Sequence, residues 1–444
     1  MLWPRKPGPS TGAFVRVASG HGLGVHWTRA MNVIRGIVVY VLLIGMYSLT
    51  WLVAVLCGKL PRRSWKPTGR IMVIGTFHNP NWYLSHLTPL SRSGVTEVIV
   101  VTDRPQSPLE RVKFACPPGW MARLLGRAGA KGILLLVTGL RLRADLYVGY
   151  HLMPGACSAL MIGRLLGRPS CYQMTGGPTE VVGGGYGAVD SLEGALARPS
   201  KLIEALALGV VRQFDLVVVR GHQAKEFLQS RNVRESVAII TGSVNGRNVP
   251  EMDRDIDLIY VGRLSTIKQV DQFIAIVNAV RRAMPTVHAA VVGDGPLKME
   301  LQELSQELGL SANLEFLGKR KDVESLLARS KVLALTSKSE GLSIAMAEAM
   351  TSGVVPVVAD IGELGDLVVD GVNGHLVEPN NVSAHAAKVV SLLQDHALRM
   401  QFSLKAAEAA RSYCDIDVVS RRWRQHLHDV VSRASRRIPR EVLT

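Results

Sequence analysis

No aspartate or glutamate occurs before Glu97, while residues 1–96 carry eleven lysines or arginines, so +11 of the net +16 falls in about the first fifth of the chain. Cysteine is scarce as well. The five present (Cys57, Cys116, Cys157, Cys171, Cys414) form no C-x-x-C pair, which argues against a disulfide framework or a zinc site and for a reducing compartment. Residues 36–58 lack charge altogether, 23 consecutive uncharged and mostly apolar positions. As a helix they extend about 34 Å, enough to cross a hydrocarbon core with slight tilt. The run is too long and starts too late for a cleaved signal peptide. There is no repeat, no low-complexity tract and no G-x-G-x-x-G between a strand and a helix, which removes the dinucleotide fingerprint. The arginines sit beside apolar sequence rather than in an aromatic-studded or helix-turn-helix pattern. That points away from nucleic acid and toward anionic lipid as a partner.

With 444 residues, 47% of them hydrophobic, the chain has material for two to three domains. After Pro67 strands and helices alternate. Strands are expected at 71–75, 97–102, 145–150, 171–174, 214–220 and 238–241, then at 257–263, 288–293, 314–317, 332–336 and 354–359. The expected fold class is α/β, with two Rossmann-like parallel-sheet domains facing across a cleft. Residues 1–66 form a basic extension carrying the apolar segment 36–58. Residues 67–248 and 249–416 form the two domains, joined by the polar linker 246–256, and 417–444 form an arginine-rich helix. Segment 36–58, with Tyr40, Tyr47 and Trp51, reads as a membrane anchor, with a monotopic segment or a core helix as alternatives. The dense basic flank 59–66 places the main body on the cytoplasmic side. In 119–144, Trp120, Leu124, Leu125 and Ile133–Leu136 are interleaved with Arg123, Arg127, Lys131, Arg141 and Arg143. This describes a helix lying on an anionic membrane or an ordinary core helix with a solvated basic face. Gly183–Gly187 reads as a mobile loop.

The densest chemical signal is Ser339-Glu-Gly-Leu-Ser-Ile-Ala-Met-Ala-Glu-Ala-Met-Thr-Ser352, closed by Gly353. It follows a strand, opens a helix, and sets Glu340 in the loop and Glu348 about two turns into the helix. The helix N-terminus between them offers free N–H groups to an anion, and the carboxylates bracket it, as a nucleotide sugar requires. Gly262-Arg263…Lys268 follows another strand, where a guanidinium and an ammonium can both reach a diphosphate. Val292-Gly293-Asp-Gly-Pro296 is a glycine turn suited to close approach of a base or ribose. His151, at a strand's carboxyl end, can orient a substrate hydroxyl or a sugar; His78 and His86 are rivals. The D-x-D triplets of Asp253–Asp257 precede a strand and read as turn residues, not as a metal site.

Together with Phe316-Leu-Gly318, Gly371–Glu378 and Thr241-Gly-Ser-Val-Asn245, these motifs make residues 68–420 resemble a retaining glycosyltransferase of family four, with the two-domain GT-B fold and its E-x7-E motif. The resemblance implies metal-independent transfer of a hexosyl group without a cofactor. It implies that Glu340 holds donor-sugar hydroxyls, Glu348 the ribose diol, and Arg263 and Lys268 the diphosphate. Amides around Gly341, Leu342, Ser343 and Ile344 assist, Gly293 approaches the nucleoside, and His151 lies near the reacting sugar. The loop Thr76–Tyr83 departs from the family pattern, and residues 1–66 match nothing in its core. With the basic apolar extension, the expected acceptor is a lipid-linked saccharide or glycolipid of envelope or capsule polysaccharide assembly. A catalytically silent nucleotide-sugar-binding subunit and a nucleotide-sugar epimerase are the other readings.

Overall fold

The computed structural model describes residues 22–58, 69–77, 79–186, 194, 196, 198–233, 236–245 and 254–436. The basic flank 59–66, His78, Gly187 and most of the linker, Asp253 included, lie outside the described residues. In the first lobe, strands β1 (Arg70–Ile74), β2 (Glu97–Val101), β3 (Val112–Ala115), β4 (Leu146–Tyr150), β5 (Ser170–Gln173), β6 (Leu216–Val219) and β7 (Val237–Ile239) pair in the order β3-β2-β1-β4-β5-β6-β7. Its helices are α1 (Gly22–Cys57), α2 (Pro80–Ser91), α3 (Gly119–Leu142), α4 (Cys157–Leu165), α5 (Lys201–Val211) and α6 (His222–Ser230). The second lobe has β8 (Ile256–Val261), β9 (Ala289–Val292), β10 (Leu314–Gly318), β11 (Ser330–Leu335), β12 (Val355–Ala359) and β13 (His375–Val377), in the order β10-β9-β8-β11-β12-β13. Between and after them run α7 (Val270–Ala283), α8 (Lys298–Glu307), α9 (Val323–Ala328), α10 (Ile344–Thr351), α11 (Val382–Gln394), α12 (His396–Cys414) and α13 (Ile416–Arg436).

Every named pairing is parallel. The central strands are covered by helices on both faces, so runs such as Leu216–Val219 and Val355–Ala359 are wholly buried and apolar throughout. The edge strands β3 and β13 escape the hydrophobic pattern because they are short and mixed in polarity. In each sheet the strand order reverses at one point, between β1 and β4 and between β8 and β11. Loops leaving these strands diverge there and open a ligand crevice.

Helix α2 begins inside the segment expected to be a loop. Asn79 caps it, accepting from Asn81 N at 2.9 Å, and Pro80 fills the first helical position, where its missing N–H costs nothing. The glycine segment, expected to be a mobile loop, makes specific contacts over its described part. Gly183 N donates to Glu204 Oε2 at 2.8 Å, and a side chain at Gly184 would run into Ile203 of α5.

Helix α1 starts well before the uncharged window. Arg35–Cys57 is long and apolar enough to cross a membrane by length and composition. One face of it is nevertheless packed: Val39, Leu43, Tyr47, Thr50 and Ala54 are buried at helical spacing against α4 and α5. Ile37, Val41, Leu42, Leu49, Leu52 and Leu56 are exposed. Helix α3, on the other flank of α4, breaks at Gly126 (φ 69°, ψ 162°) and exposes Trp120, Leu124, Ile133, Val137 and Leu140. Lys131 does not share its outer basic face. It is buried and donates to Thr76 Oγ1 at 2.9 Å and Asp103 Oδ2 at 3.2 Å. Helix α13 turns back onto the first lobe, burying Val419, Trp423, Leu427 and Val430 in the core cluster that holds Leu87 and Leu90 of α2.

Candidate active site

Because β8 and β11 are neighbours, the loops that follow them lie side by side at the carboxyl edge of the second sheet. Lys268 Nζ there meets Glu340 Oε1 at 2.5 Å, and Ser337 Oγ donates to the same oxygen at 2.7 Å. The Glu340 loop is supported from behind by Gly362 (φ 51°), where a Cβ would stand 1.9 Å from the Glu340 carbonyl oxygen. Only glycine allows that approach. Ser343 caps α10, its hydroxyl accepting from Met346 N at 3.3 Å, so the helix N-terminus faces the same edge. Arg263 is exposed on the loop after β8. Gly293 (φ 149°) is a close approach: a Cβ there would meet the Gly262 carbonyl oxygen at 1.8 Å.

The segment from Gly341 to Ile344 divides its tasks. The Leu342 side chain is in the second-lobe core, and its carbonyl accepts from Arg220 Nη2 of the first lobe at 2.7 Å. Ile344 packs against Gly242, again across the lobes. A Cβ on Gly341 would lie 3.3 Å from the Thr175 carbonyl oxygen, so this glycine brings the two halves of the cleft together. Farther along the interface, Glu363 accepts from Gln223 N and Ala224 N at 3.0 and 2.9 Å, and Asp366 accepts from His222 N at 2.8 Å. The start of α6 is thus held by carboxylates of the other lobe.

Glu348 is the fifth residue of α10, just over one turn in rather than two, because the helix begins only at Ile344. It faces a cavity of about 400 Å³ between α2 and the α9–α10 pair, also lined by Asn81, Arg92, Lys321 and Glu324. Burial, and then the nearby Glu324, push its carboxyl up from 4.5 to about 7. The folded state therefore binds this proton more tightly than the unfolded chain. Stability falls as pH rises from about 4.5 to about 7 on this account and stays lowered above that range. Glu348→Gln is expected to match the wild type at pH 4 and to be more stable at pH 8, by up to about 3 kcal/mol in urea melts. Equal stability at both pH values would contradict this protonation.

On the first-lobe side, His151 follows β4 with φ 58° and a half-exposed ring. Its Nδ1 lies 3.2 Å from Glu180 Oε1, Thr175 Oγ1 lies 3.1 Å from Nδ1, and Trp82 is parallel to the ring at 6.3 Å. His86 is buried beside Trp82 and Tyr150. Burial above all, then Arg220 and His151, hold its imidazole well below the ordinary value, so it is neutral packing. Asp255 pairs with Arg329, and Asp257 with Lys331 at 2.7 Å, which accounts for the described part of the D-x-D run.

Sequence reasoning passed over Glu180, Thr175, Arg220 and Gly362. Glu180 is a single acid in a glycine-rich loop and Arg220 a single base after a strand, and neither has a motif. Only strand adjacency brings them to the cleft.

Residues 245–409 match the family model described as glycosyl transferases group 1. Among curated proteins, the chain is 31% identical over 173 residues to an exopolysaccharide phosphotransferase of Streptomyces coelicolor, covering 38% of this chain and 18% of that protein. It is 25% identical over 225 residues to a poly(ribitol-phosphate) alpha-N-acetylglucosaminyltransferase of Staphylococcus aureus, covering 50% of this chain and 42% of that protein. The chain thus spans less than half the length of either relative. Among solved structures, Anabaena HepE in complex with UDP aligns with a TM-score of 0.63 at 18% identity, over 82% of this chain and 100% of that one. That likeness is one of fold, the GT-B arrangement of two facing parallel-sheet domains.

Proposed function

We propose, on the premise that residues 245–409 are a glycosyl transferases group 1 domain, that the protein is a retaining, metal-independent hexosyltransferase. It moves a sugar from a nucleotide-sugar donor to a lipid-linked saccharide or glycolipid at the cytoplasmic membrane face, in envelope or capsule polysaccharide synthesis. The observation that carries this reading is the clasp of Lys268 and Glu340 at the N-terminus of α10, set across a narrow cleft from His151. Glu340 accepts from hydroxyls of the sugar, and Glu348 accepts from the ribose diol once deprotonated. Arg263, Lys268 and amides of the α10 start take the diphosphate. In front-side displacement the bond from the anomeric carbon to the phosphate oxygen breaks as the bond to the acceptor oxygen forms on the same face. The acceptor proton passes to the departing diphosphate, whose charge the two cations stabilise.

A uridine nucleotide as donor is supported by the UDP held in the Anabaena neighbour. A place in polysaccharide synthesis is supported by the name of the Streptomyces coelicolor relative. The membrane reading is supported by the exposed apolar faces of α1 and α3, both packed on α4, with Arg123, Arg127 and Arg141 exposed on α3 and Arg143 exposed just past its end. Because α1 docks on the lobe along one face, it is read as lying in the interface with its outer side in lipid.

The test incubates purified full-length protein with a panel of nucleotide sugars, with and without membrane lipid extract. The expected result is nucleoside diphosphate release together with labelled lipid whose anomeric configuration matches the donor. Binding without release would identify a silent subunit, and conversion of the nucleotide sugar itself would identify an epimerase; either result overturns the proposal.

A further inference from the structure

Glu180 closes the loop after β5 and is buried, yet it gathers five donors. Tyr172 Oη approaches at 2.6 Å, Leu152 N at 3.1 Å, Thr175 Oγ1 at 3.4 Å and His151 Nδ1 at 3.2 Å, and Gly176 N also donates to it. Four of the five are neutral. A buried carboxylate surrounded by neutral donors alone keeps an uncompensated charge, which is costly in a low-dielectric site. His151 is the one partner in this set able to supply a positive charge. Burial pushes the Glu180 carboxyl up, but the charge of His151 first, then hydrogen bonds from His151, Tyr172 and Gly176, bring it below the ordinary glutamate value.

We propose that Glu180 is a positioning residue for the transfer proposed above, on which this inference rests: it holds His151 as an imidazolium with Nδ1–H on the carboxylate. The half-exposed side of the ring then serves the cleft as a charged hydrogen-bond donor to an oxygen of the transferring sugar. A buried carboxylate on Nδ1 both selects the tautomer and stabilises the charged ring. The groups that face this pair are Tyr172 of β5, Tyr150 of β4, Thr175 in the loop, His86 and Trp82 of α2, and Arg220 after β6, with Glu340 across the cleft. His86 is neutral, the tyrosines are un-ionised, and the Arg220 charge opposes protonation of His151 whereas Glu180 favours it through a direct contact at 3.2 Å. The imidazolium is present below its own pKa and is lost as pH rises through it. Activity supported by this donor therefore fades on the basic side.

The test is a histidine-selective NMR titration of the full chain, with His151 assigned by difference against His151→Ala. In the wild type His151 is expected to titrate above the ordinary 6.5 with its proton on Nδ1. In Glu180→Gln the titration should fall by at least about one unit. The basic limb of kcat should move down with it, and kcat at pH 7.5 should fall by about tenfold or more, while KM for the donor stays within about twofold. A wild-type titration at or below 6.5 overturns the proposal even if Glu180→Gln fails to fold. An unchanged limb in a folded Glu180→Gln also overturns it, as does an inverted product, which would make His151 a base. The titration needs no substrate, so failure of every nucleotide sugar to react would remove the transfer reading and leave this result readable.

Discussion

Glu340→Gln is expected to lower kcat/KM by about 10²–10³ while leaving the melting temperature close to that of the wild type. The amide keeps the shape of the side chain, and its carbonyl can still accept from Ser337. What it loses is the charge that fixes Lys268 at 2.5 Å and the second strong acceptor for a sugar hydroxyl. Little stability should go with it, because the Lys268 side chain is 25% exposed and can be resolvated when its partner is neutralised. Catalysis is more sensitive. A lysine released from its clasp no longer meets the diphosphate at a set position, and misplacement of about 1 Å can cost two orders of magnitude. Initial rates of nucleoside diphosphate release, measured beside a thermal melt, decide the matter. Turnover within about threefold of the wild type would remove Glu340 from the site.

The second large effect falls on two adjacent leucines. Leu43→Ala should destabilise the first lobe by about 2–5 kcal/mol, whereas Leu42→Ala should change stability by less than about 0.5 kcal/mol. Leu43 has no exposed surface and shares a core cluster with Leu160 of α4 and Ile203 of α5, while Leu42, about 100° round the axis of α1, is 49% exposed. Denaturant unfolding reads the stability difference. Cosedimentation with anionic vesicles reads the other half, since Leu42→Glu combined with Leu49→Glu should release the protein from lipid with its fold intact. Persistent binding by that double variant would leave α3 as the membrane contact. Equal stability losses at Leu42 and Leu43 would mean that α1 does not dock as described. Deleting the segment outright is a poorer experiment, because it would uncover the face of α4 and α5 that α1 covers.

Much of the architecture was legible because parallel strands buried on both faces read as continuous apolar runs, as at Leu216–Val219 and Val332–Leu335. The carboxylates Glu340 and Glu348 stood out because their spacing around a helix start is a local property, and so is the pairing of Arg263 with Lys268 on one turn. The edge strands β3 and β13 were not legible, since four- and three-residue segments of mixed polarity carry no usable period. Nor was Glu180. It stands 29 positions from His151, and the two meet only because β4 and β5 are adjacent.

The sequence by itself determined where the buried central strands run, that the first 96 residues are basic and hold a long apolar run, and that a carboxylate pair frames one helix start. These follow from residue type and local spacing, which short-range physics reads directly. Only the tertiary structure decided that Leu43 is core while Leu42 is surface, that Lys131 turns inward, that Arg220 crosses to the Leu342 carbonyl, and that Glu180 sits on His151. Each of those depends on what stands opposite a side chain. In a parallel sheet the neighbour across the ladder comes from a distant part of the chain, so no local pattern names it.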